Sequence, residues 1–118
     1  MSLADSLQRV IEDLEESHGV ALVGTDGIVV EERKRDDQLD LQVLGAEFNG
    51  LLKTAGKLGD SVGFGGITEL VTSAERFVVI IRQVTADYFL ILVIQAGGNL
   101  GKARFLLRRA AMQLETEL

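Results

Sequence analysis

Seven consecutive charged residues, Glu31-Glu32-Arg33-Lys34-Arg35-Asp36-Asp37, are the first place where this chain could do chemistry. An arginine offered from such a stretch could stabilise the charge that develops in phosphoryl transfer on another molecule. The simpler reading is a solvated edge strand and its exit loop, since charges commonly protect exposed strand edges. Gly63-Phe64-Gly65-Gly66 has the composition of a phosphate-cradling loop, but no Lys-Ser or Lys-Thr follows and the next segment reads as a strand. Gly97-Gly98 precedes a helix and could present amides to an anion; a tight strand-to-helix turn uses the same residues. His18 is the only histidine and there is no cysteine, so a usual zinc site cannot be assembled. It is expected in the last turn of the first helix, where a cation is favourable. No nucleophile-elbow sequence accompanies the serines. The expectation is a protein that is not an enzyme, with no metal and no cofactor.

Composition narrows the classes further. The 118 residues fit one domain, taken as 1–118. Hydrophobic residues at 47% and charged residues at 25% are the balance of an ordinary globular protein. Without cysteine there are no disulfides, which fits a reducing cytoplasm. Proline is also absent, so turns must rely on Asn, Asp and the 13 glycines. A net charge of −6 repels a phosphate backbone, and nucleic acid is not an expected partner. The start, Met1-Ser2-Leu3-Ala4-Asp5, lacks the basic flank and apolar stretch of a signal peptide. The longest apolar run, at 88–94, is far short of the roughly 20 residues that span a bilayer, so no membrane insertion is expected.

The elements that must carry any site follow from periodicity. Ser2 and Asp5 form a capping pattern ahead of a helical stripe at Leu3, Leu7, Val10, Ile11 and Leu14. With Gly19 as a stop signal, the spacing predicts a first helix over 3–18. Val20-Ala21-Leu22-Val23 is a strand, Thr25-Asp26-Gly27 a turn, and a second strand begins at Ile28 and runs into the charges. Leu41, Leu44, Phe48, Leu51, Leu52, Ala55 and Leu58 share one face of a second helix over 39–58. That helix holds Gly45, Gly50 and Gly56, each costing about 1 kcal/mol relative to alanine in a helix interior. Strands are expected at 67–72, 76–84 and 88–96. Asn99 then caps a third helix to about 117, with Leu100, Ala103, Leu106, Leu107, Ala110, Ala111 and Leu114 facing inward. Phe105 and Met112 stand off that face and are expected against the first helix or a partner.

Strands one, four and five are apolar on both faces and belong in the sheet interior. Hairpin neighbours then give the order 2-1-5-4-3 in an α/β fold, with the first and third helices on one face. The second helix alone is too narrow for the other face. A second copy of it from a partner subunit would help complete that layer. Gly45, Asn49, Leu52 and Gly56 recur at helical spacing and would let two helix backbones approach; accommodating a neighbouring strand or loop would use them equally well.

The chain resembles the Roadblock / dynein light chain family over about residues 3–117. The resemblance rests most on Gly98-Asn99-Leu100-Gly101-Lys102-Ala103-Arg104 continuing to Leu107-Arg108-Arg109-Ala110, and on Gly19-Val20-Ala21-Leu22-Val23 with Asp26-Gly27-Ile28-Val29. It implies a profilin-like α/β sandwich and a homodimer in which the third strand, with Ile67, Thr68, Glu69, Leu70 and Val71, pairs with its symmetry mate. The two second helices would lie antiparallel on one face. The resemblance is nearest to bacterial members that regulate a small Ras-like GTPase, so such a GTPase is the implied partner; a structural adaptor without effect on hydrolysis is the alternative. On the outward arc of the second helix lie Gln42, Val43, Ala46, Glu47, Gly50, Lys53, Thr54 and Lys57. A small, flat centre with a charged rim suits a protein partner, and in the resembling regulators this helix faces the GTPase.

Overall fold

Ser2 opens the first helix with reciprocal bonds. Its Oγ accepts from the Asp5 amide at 3.1 Å, and the Asp5 carboxylate accepts from the Ser2 amide at 3.3 Å. Two amides that the first turn leaves open are thereby satisfied. The computed structural model describes residues 2–118 and carries this helix as α1 (Leu3–Asp13). It is shorter than the 3–18 that the stripe predicts. Ser17 turns the chain instead: its amide and its hydroxyl both donate to the Leu14 carbonyl, at 3.0 and 2.6 Å. Arg35 arrives from further along the chain and donates to the carbonyls of Ile11, Leu14 and Ser17. A side chain from another element thus caps the helix end, so Gly19 is not its stop. Gly19 and His18 both lie in β1 (Ser17–Gly24).

The remaining elements are β2 (Val29–Lys34), α2 (Leu41–Ser61), β3 (Glu69–Ser73), β4 (Phe77–Thr85), β5 (Tyr88–Gln95) and α3 (Leu100–Glu115). Gly27 makes the β1–β2 turn at φ 85°, a left-handed conformation that glycine adopts without penalty. Asp40 caps α2 by accepting from the Val43 amide, and Asn99 caps α3 by accepting from the Lys102 amide, both at 3.0 Å. β3 begins at Glu69 rather than 67. Thr68 lies outside it, although its carbonyl still accepts from the Gln83 amide at 3.0 Å.

One antiparallel sheet runs β2-β1-β5-β4-β3, the expected order, with the three doubly apolar strands inside it. On one face Leu7, Val10 and Ile11 of α1 and Leu106, Leu107 and Leu114 of α3 pack on Val20, Leu22, Ile80, Leu90, Leu92 and Ile94. On the other, Leu41 and Leu52 of α2 cover Ala21, Val23, Val79, Ile81, Phe89 and Ile91. α2 lies over β1 and β2. Towards β3 the same face leaves Leu44, Phe48, Ile67, Leu70 and Phe77 half-buried, and Leu51, Leu58 and Val62 exposed. Among the described residues no helix is long and apolar enough to cross a membrane.

Candidate functional site

The outward arc of α2 is intact as a surface. Gln42, Val43, Ala46, Glu47, Gly50, Lys53, Thr54 and Lys57 are all exposed. Among the described residues nothing lies within 4 Å of where a Gly50 Cβ would stand, so the centre of the arc is open and flat. Glu47, Lys53 and Lys57 stand around it. Thr54 turns its hydroxyl back onto the Gly50 carbonyl at 3.1 Å and leaves the surface small. Gln42 has a further role that its type did not announce. Its Nε2 donates to the Gly27 carbonyl at 2.9 Å and its Oε1 accepts from the Val29 amide at 3.1 Å. This arm of the arc therefore grips the β1–β2 turn.

The residues assigned to a subunit interface divide into two groups. Gly45 and Asn49 face the chain's own sheet and not a partner helix. A Cβ on Gly45 would stand 3.3 Å from both γ-carbons of buried Val23. Asn49 is only 7% exposed and donates to the Thr25 carbonyl at 3.1 Å. Leu52 is buried in the cluster beneath α2. The helical spacing of these small residues thus reflects a strand packed against them. The Glu69 side chain is also engaged within the chain, bonded by Arg104 at 2.6 Å and lying 3.6 Å from Arg82. Ile67, Thr68, Leu70 and Val71 keep accessible surface on or beside the β3 edge, and Gly56 keeps some on α2. No contact among the described residues explains glycine at 50 or 56.

The charged stretch offers no free arginine of the kind it suggested. Arg33 bonds Glu31 and the Glu32 carbonyl, at 2.9 and 2.7 Å, and Arg35 caps α1. Gly97, at φ 84°, makes the tight turn before α3. The anion position there is already filled by the Glu16 carboxylate, which accepts from the Asn99 amide at 3.1 Å. His18 is not at a helix end. It lies on β1 with Nε2 3.0 Å from Gln95 Oε1 and its ring edge-on to Phe77 at 5.0 Å. A shallow cleft of about 310 Å³ at the base of the β1–β2 turn, lined by Thr25, Asp26, Ile28, Val30, Asp87 and Tyr88, had no sequence signal beyond exposed apolar residues beside a turn.

No family model matches the sequence, and no curated protein matches it. Solved structures match along the chain. Myxococcus xanthus MglC is 32% identical, with 100% of each chain covered and a TM-score of 0.71. Myxococcus xanthus MglB is 16% identical at a TM-score of 0.90, over 98% of this chain and 86% of that one. A Roadblock/LC7 domain from Streptomyces avermitilis is 12% identical at a TM-score of 0.89, over 99% and 98%. The last two likenesses are of fold alone, whereas the first is one of sequence as well.

Proposed function

The chain belongs to the Roadblock/LC7 family, and from that premise we propose that it is a non-enzymatic, homodimeric regulator that binds a small Ras-like GTPase and modulates its nucleotide state. The observation that carries this reading is the outward arc of α2: eight exposed residues, open and flat at Gly50, with a charged rim. Such a surface can lie against another protein without first rearranging. The half-covered face beside it supports the dimer. Leu51, Leu58 and Val62 remain in water on a flank that α2 of a second copy would cover, next to a β3 edge with no neighbour among the described residues.

The test has two parts. Mass measurement in solution should give a dimer. A pull-down with Ras-like GTPases from the same genome, loaded with GDP or a GTP analogue, should retain one of them in a nucleotide-dependent way and change its hydrolysis rate. Ala46→Glu should abolish that binding without altering the fold. A stable monomer, or no nucleotide-dependent partner, removes the proposal. The second reading, an adaptor with no effect on hydrolysis, draws on the engagement of Arg33 and Arg35 within the chain. It requires binding that tolerates Ala46→Glu but is lost when Val71→Pro blocks the β3 edge.

A further inference from the structure

α3 carries a second surface that the α2 reading does not use. Phe105 and Met112 are 61% and 65% exposed although both are large and apolar. They are seven residues apart, so they stand in line about 10 Å apart along the helix axis. Arginines border this line on both sides. Arg104 leans towards β3, where it bonds Glu69 at 2.6 Å, and exposed Arg108 stands on the same side. Arg109 leans the other way, bonds Asp13 of α1 at 3.0 Å and holds its guanidinium 5.9 Å from the centre of the Phe105 ring. Two of the three arginines are therefore held in fixed positions beside the apolar line. α3 bears Lys102, Arg104, Arg108 and Arg109 against Glu115, a net of +3 in a chain of −6, so the rest of the chain carries −9.

We propose that this face of α3 is a second docking surface, whose occupant is an acidic amphipathic helix of a protein partner. Its apolar residues would lie on Phe105 and Met112, and its carboxylates would reach the arginines on either side, where bidentate pairing is available. Charge selects among the occupants. A second copy presenting the same face would set one +3 helix against another. Nucleic acid would meet the −9 of the remaining chain and a single exposed aromatic ring on the helix. A membrane needs a broad apolar face, and the apolar face of α3 is spent on the core. The surface lies across the sheet from the outward arc of α2, so both can be occupied at once and the protein can join two partners.

The probe for the test is a fluorescein-labelled synthetic helix with leucines at seven-residue spacing and glutamates on both flanks. Its counterparts are the same helix with lysine for glutamate, phosphatidylcholine/phosphatidylserine vesicles and duplex DNA. The glutamate helix should bind saturably by fluorescence anisotropy, and added salt should weaken it. Phe105→Ala with Met112→Ala should weaken binding about tenfold or more, the scale of losing buried interface anchors. Arg108→Glu should shift preference towards the lysine helix, while Ser61→Glu, on α2 on the other side of the sheet, should leave binding of the glutamate helix unchanged. No saturable binding of the glutamate helix overturns the proposal. So does unchanged affinity in the double variant, or tighter binding of vesicles or DNA. Circular dichroism of each variant separates loss of fold from loss of the surface, and Arg108→Glu tests the surface without touching its apolar line.

Discussion

The two faces of the sheet are built from the same strands and finished to different degrees. Beneath α1 and α3 the core residues from Leu7 to Leu114 are buried, and only Leu3, Val84, Tyr88 and Leu100 around them are half-buried. Beneath α2 the cover is complete over β1 and thins towards β3, where Leu70 and Phe77 are only half-buried. The difference is one of helix number. Two helices side by side span the five strands, whereas one spans about half of them. Apolar surface left in water near β3 forgoes roughly 25 cal/mol per Å² until something covers it. The incomplete face is thus where an association would gain most, and the complete face is where the fold draws its stability.

The largest expected effect tests that asymmetry. Leu107→Ala on the complete face should cost about 3 kcal/mol in urea unfolding, by lost burial and the cavity left behind. Leu58→Ala, in water on the other face, should cost less than about 0.5 kcal/mol when the unfolding of separated chains is followed. Its effect should show in self-association instead. Equal costs for the two would abolish the distinction between the faces.

A smaller contrast lies within α2. Gly45→Leu should destabilise by about 2 kcal/mol, because the new side chain must displace Val23 beneath the helix. Gly50→Ala meets nothing and should stabilise by about 1 kcal/mol through helix propensity. A harmless Gly45→Leu would mean that α2 does not rest on β1 as described.

The smallest effect belongs to the α1 cap. Hydrogen bonds from Ser2, side chain before backbone, hold the Asp5 carboxyl below its usual 3.8. A group whose folded value is lowered contributes stability above its unfolded value and loses it as pH falls through the folded one. The contribution should therefore be complete above pH 3.8 and be lost as pH falls from there through the lowered folded value. Ser2→Ala should flatten that part of an acid titration followed by helical circular dichroism. An unchanged titration would show that the cap adds nothing to the complete face.

Much of the frame was legible before the structure. Strands β4 and β5 are apolar on both sides, which places them inside the sheet. The Asp26-Gly27 turn fixes β2 beside β1, and the order β2-β1-β5-β4-β3 follows. The outward arc of α2 could also be read, because charge and small size at 3.6-residue spacing face water. Two things could not. Gly19 looked like a helix stop because the true stop depends on Ser17 and on Arg35, a side chain distant in sequence that caps carbonyls without leaving a local pattern. Gly45 and Asn49 looked like a seam between helices because helical spacing records that something lies close and not which element it is. The Gln42 grip on the turn escaped for the same reason, since a glutamine on an exposed helix carries no sign of its partner.

That grip has a mechanical consequence. Gln42 and Asn49 bind the first half of α2 to the turn between β1 and β2 through Gly27, Val29 and Thr25, and the Thr25 amide donates in turn to the Asp87 carbonyl at 3.0 Å in the β4–β5 turn. Beyond Leu52 no amide side chain ties the helix down among the described residues. α2 is therefore a beam clamped at one end. Its far end rests on the 65–67 segment, where buried Gly59 packs against Gly65 and Ile67, and a load on its outer surface passes through the clamp to two hairpin tips at the rim of the sheet.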